Sequence, residues 1–115
     1  MVVFGLTASF EAEERTVTAV NERVVVPRWP PRGPVAIVYS YVFSPPDAPV
    51  RVQLVAADGR IVYEAVRRTR FLIGDERIAF PHEHFGASPP VTATILHGDR
   101  VVASLIFEAP RGDPS

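Results

Sequence analysis

The sequence predicts an all-β domain built as two antiparallel sheets packed face to face. Three observations carry this. Apolar residues recur with period two far more often than 3.6, β-branched and aromatic residues are frequent, and twelve prolines punctuate the 115 residues. No window of a dozen residues reads as an amphipathic helix. A chain of this length suits one domain, taken here as residues 1–109, with a polar, turn-forming tail at 110–115 that is expected to fray.

The elements follow in chain order. Residues 2–10 alternate, which puts Val2, Phe4, Leu6, Ala8 and Phe10 on one face. A second strand over 16–26 is broken at Asn21-Glu22-Arg23. The segment "PRWPPRGP" (27–34) holds four prolines and is a loop or an edge crossing, because proline cannot donate to a ladder. Residues 35–43 form the next strand. "VRVQLVAADGRIVYEAV" is a hairpin turning at Asp58-Gly59, and "VTATILHGDRVVASLIF" is a second, turning at Gly98-Asp99. Between them lie a strand over 77–80 and the segment "FPHEHFG". About seven or eight strands result, and an immunoglobulin-like antiparallel β-sandwich holds them best. A small closed barrel is the competing arrangement.

"VPRWPPRGPVAIVYSYVF", "VRVQLVAADGRIVYEA" and "VTATILHGDRVVASLIFEA" together resemble small bacterial proteins of unknown function with an immunoglobulin-like sandwich. The final hairpin, ending on Leu105 and Phe107, carries the resemblance most directly. It implies a fold and brings no activity or catalytic residues with it.

Composition narrows the function. There is no cysteine, so disulfides, thiolate metal sites and a cysteine nucleophile are excluded. All twelve basic residues are arginine, which removes Schiff-base lysine chemistry and the P-loop lysine. A net charge of −1 supplies no field for nucleic acid. No apolar run is long enough for a membrane helix, and the N-terminus lacks a basic signal-peptide region. No membrane insertion is therefore expected, and a cytoplasmic location is the default expectation. No serine lies in G-x-S-x-G, the glycines are scattered, and no carboxylate pair stands out, so the chain is expected not to be an enzyme and to need no cofactor.

Four features compete as sites. Tyr39, Tyr41 and Phe43 alternate with small residues on a strand that is apolar on both faces. With Trp29 they are the candidate interface, and the alternative is that they fill the core. His82 and His84 are candidate metal ligands. On a strand they share a face about 7 Å apart, and in a loop Glu83 converges with them. The opposing reading is a solvated loop anchored by Phe80 and Phe85. "RRTR" (67–70) would set Arg68 and Arg70 on one face of a strand edge, where arginine also blocks aggregation. "RGD" (111–113) is a tripeptide common by chance. The sequence thus predicts a non-catalytic protein-interaction or structural module that binds itself or another protein through the aromatic strand or a sheet edge. The alternative is a small-ligand or metal-binding domain using His82, Glu83 and His84.

Overall fold

A computed structural model describes residues 1–45, 47–69, 72–86 and 88–111. Among them are nine strands, no α-helix and two short 3₁₀ turns. The strands are β1 (Val2–Phe10), β2 (Arg15–Thr18), β3 (Arg23–Val25), β4 (Val35–Val42), β5 (Pro49–Val55), β6 (Ile61–Arg68), β7 (Gly74–Phe80), β8 (Val91–His97) and β9 (Arg100–Glu108). They form two sheets, ordered β2-β1-β4-β7 and β3-β9-β8-β5-β6. Every pairing is antiparallel except β3 with β9, which is parallel.

The inner faces supply the core. Val35, Ile37, Tyr39 and Tyr41 point inward from β4, and Val50, Val52 and Leu54 from β5. They meet Ile78 and Phe80 of β7, Val91, Ala93 and Ile95 of β8, and Leu105 and Phe107 of β9. Alternation at period two makes this possible, since each strand sends every second side chain to the same side. Edge-to-face ring contacts cross between the sheets: Phe10 to Phe107 at 6.4 Å and Tyr63 to Phe80 at 5.7 Å.

The break expected at Asn21-Glu22-Arg23 is where the chain changes sheets. Asn21 and Glu22 take positive φ (51° and 62°), so β2 ends on the edge of one sheet and β3 begins on the edge of the other. Both strands are short, and this shortness matters below.

The first strand departs from the even alternation expected of it. A bulge between Val3 and Gly5 shifts the register against β4. A bulge inserts one residue and reverses which side chains face inward. Ala8 and Phe10 are buried and Leu6 packs on the core, but beyond the bulge it is Val3 that turns inward. Val2 and Phe4 are left exposed, at 51% and 63%.

Buried polar groups tie the loops at one end. The Ser44 hydroxyl donates to Thr69 Oγ1 at 2.8 Å, and Thr69 donates to the Pro45 carbonyl at 3.0 Å. The Ala48 N–H reaches Thr69 Oγ1 at 3.2 Å. Ser44 and Thr69 are the two buried polar side chains among the described residues, and each finds partners, as burial requires.

Candidate functional site

The expected aromatic interface does not exist as one surface. Tyr39 and Tyr41 are core residues, exposed at 1% and 3%, with their rings 6.2 Å apart. They follow the inward alternation of β4. Phe43 breaks it: its φ is +59°, the strand ends at Val42, and the ring turns out to 66% exposure. Trp29 is half-buried and packs edge-to-face on Phe85 at 6.0 Å. Of the four residues, only Phe43 presents a largely exposed apolar ring. It neighbours exposed Leu72 and Ile73, because the Ser44 N–H bonds the Leu72 carbonyl at 3.1 Å.

The two histidines lie on a turn and not on a strand: His82–Phe85 is a 3₁₀ turn. At three residues per turn, positions i and i+2 point about 120° apart. His84 lies against the Tyr63 ring at 4.8 Å, while His82 is exposed. Among the described residues no three His, Cys, Asp or Glu side chains are grouped to hold a metal. Phe80 and Phe85 are both fully buried, which anchors this turn on the core.

One side of the sandwich holds a polar cleft of about 720 Å³ between the edge strands β6 and β7. Tyr41, Arg67, Arg68, Asp75 and Glu76 line it. Its charges are already answered from within the chain. Arg67 pairs with Glu76 at 3.7 Å and Arg68 with Asp47 at 3.7 Å, and the Ser40 hydroxyl donates to Asp75 at 2.5 Å. Burial, then the nearby Glu76 carboxylate, raises the pKa of the Tyr39 and Tyr41 hydroxyls, so both are neutral phenols here. Arg70, expected beside Arg68, lies outside the described residues, as do Gly112 and Asp113 of the RGD tripeptide.

The opposite side is different. β2 pairs with β1 only along Thr7–Phe10, and β3 pairs with β9 only along Ile106–Glu108. Among the described residues no strand covers the outer edges of β1 from Val2 to Gly5 or of β9 from Arg100 to Leu105. Between these two bare stretches lies a cleft of about 290 Å³ that mixes the apolar Val3, Phe4, Leu6, Val102 and Ala103 with the polar Thr18 and Glu22. Phe4, Val20 and Val101 are exposed at 63%, 68% and 55%. Sequence reasoning missed this side. The signal available was the uninterrupted apolar run from Val2 to Leu6, with no charge to guard an edge.

Comparison with solved structures decides the fold. The crystal structure of an immunoglobulin-like protein from Pseudomonas aeruginosa matches with a TM-score of 0.55, covering 95% of each chain at 14% identity. This chain has an immunoglobulin-like fold. No protein-family model matches it, and no curated protein is similar to it in sequence. Among the described residues no helix is long and apolar enough to cross a membrane.

Within this immunoglobulin-like sandwich the two sides are guarded unequally. The β6 and β7 edges carry Glu64, Arg67, Arg68, Asp75, Glu76 and Arg77. Charges of this kind discourage pairing with another chain. The bare part of β1 carries no charge at all, and that of β9 carries only Arg100.

Proposed function

We propose that this chain is a non-catalytic protein-interaction module whose contact surface is the uncovered β1/β9 side. The supporting observation is the concentration of exposed apolar side chains, Phe4, Val20 and Val101, beside a cleft flanked by two strand edges that carry a single charge, Arg100, between them. Apolar surface gathered in this way marks sites of association, whereas scattered exposed residues do not. Binding here needs no chemistry beyond burial of that surface.

The test is site-specific crosslinking in native host cells. p-Benzoylphenylalanine in place of Phe4 should give covalent protein adducts on illumination. The same probe in place of Asp58, at the tip of the β5–β6 turn, should give none. Equal labelling from both positions, or none from position 4, would sink the reading.

A further inference from the structure

Resting on that reading, we infer that the β1/β9 side is a two-fold interface with a second copy of this chain. Three features of the side select a copy of itself as the occupant.

The first is symmetry. An antiparallel two-fold contact needs a surface that is complementary to itself. The middle of the bare stretch of β1 falls at Val3–Phe4, and that of β9 at Val102–Ala103. These four residues line one cleft. A single axis, perpendicular to the sheets and through that cleft, therefore serves both strands. The covered halves do not obstruct it. β2 ends at the level of Thr7 and β3 begins at the level of Ile106, so each copy's short strands lie beyond the end of the other's bare stretch.

The second is charge. Ser104 holds the Glu22 carboxylate at 3.4 Å, and Arg100 has no ion-pair partner among the described residues. Rotation about Val102–Ala103 exchanges positions 100 and 105, and Glu22 lies at that level, its carbonyl accepting from the Ile106 N–H at 2.7 Å. Arg100 of each copy then meets Glu22 of the other, twice by symmetry. Unlike charges placed in this way fix register and reject misaligned pairings.

The third is size and closure. The bare stretches run about 13–20 Å at ~3.3 Å per residue, so across the 23 Å depth of the molecule they present roughly 300–460 Å² per copy, the size of a weak contact in exchange with monomer. Both bare stretches contain a bulge, between Val3 and Gly5 in β1 and opposite Ile95/Leu96 in β9. Bulges bend a strand and interrupt regular pairing. They favour side-chain packing of Phe4 and Val101 over an endless ladder, which gives a closed dimer and no fibre.

Light scattering on the purified full chain tests this. The wild type should approach twice 12.6 kDa as concentration rises. Phe4→Lys and Val101→Lys, both at exposed positions, should keep the melting temperature and weaken dimerisation on the order of tenfold or more. Arg100→Glu and Glu22→Arg should each weaken it, and the double variant should recover it. Val66→Lys, at an exposed position of β6 on the opposite side of the sandwich, should dimerise as the wild type does. A monomer at every concentration overturns the inference, as does a dimer insensitive to Phe4→Lys or dissolved by Val66→Lys. A monomer whose position-4 probe still captures a different protein leaves the interaction reading standing and removes only the self-pairing. A monomer with no adduct at position 4 removes both.

Discussion

At the scale of single residues, the strand Val35–Val42 shows how far alternation alone decides placement. Its sequence is apolar on both sides, so either face can be the inner one until the partners are known. Val35↔Phe80 and Ile37↔Ile78 in the β4–β7 register settle it by carrying the aromatic face inward with Tyr39 and Tyr41. The sequence also gives no warning that Phe43 leaves the pattern, because a positive φ at a phenylalanine has no local signature. Burying two phenols beside Glu76 has a measurable consequence. Desolvation, with Glu76 and Tyr41 adding to it and Arg67 opposing, raises the Tyr39 pKa far above its ordinary 10.0. The fold thus favours the protonated form. That contribution is complete below pH 10.0 and is lost as the pH climbs through the folded-state value. Urea denaturation should therefore show stability falling above pH 10.0, and Tyr39→Phe should flatten the fall. An unchanged alkaline slope in Tyr39→Phe would mean that another group governs it.

At the scale of elements, the hairpins were the most legible. β5–β6 turns at Asp58-Gly59, with Gly59 at φ 89° and the Asp58 carboxylate accepting from the Arg60 N–H at 2.9 Å. β8–β9 turns in two residues, with His97 paired to Arg100 and Gly98 at φ 63°. Glycine at the first central position is what a tight II′ hairpin requires. Gly98→Ala forces a Cβ into the left-handed region at a cost of about 1 kcal/mol or more. The expected result is a lower urea midpoint with an unchanged slope. Gly98→Asn should lose less, since asparagine tolerates that conformation. The first strand was legible in extent, Val2–Phe10, but not in face, because the bulge that turns Val3 inward depends on the β4 register and not on the local sequence. The strand expected over 77–80 starts three residues earlier, at Gly74. "DER" carries no apolar alternation to announce it. "HEHF" was legible as an anchored connection through Phe80 and Phe85, while its 3₁₀ winding, which separates His82 from His84, was not.

At the scale of the whole molecule, the sandwich follows from strand count, periodicity and turn spacing, but the bare side follows from topology. It exists because one segment divides its length between two sheets at Asn21-Glu22, leaving half of each neighbouring edge uncovered. No local pattern encodes which strands become neighbours, and the parallel β3–β9 pairing is set only when both sheets have assembled. What joins the sheets at the opposite end is a cluster of rings around Phe85. That residue meets Phe107 of β9 at 5.3 Å, Phe80 of β7 at 6.4 Å and Trp29 of the proline-rich loop at 6.0 Å, all edge-on. It therefore bridges both sheets and the loop from a short connecting turn. Phe85→Ala removes these contacts and opens a cavity in a fully buried site, which typically costs about 3–5 kcal/mol. Because the cluster spans both layers, the loss belongs to the whole fold and not to the turn. Trp29 is the single tryptophan, so its fluorescence reports the cluster while far-UV circular dichroism reports the sheets. In Phe85→Ala both signals should move to a lower urea midpoint together, as one cooperative transition. If the fluorescence midpoint falls while the circular dichroism midpoint stays, the turn is a local unit laid on an independent sandwich, and the two sheets are held together elsewhere.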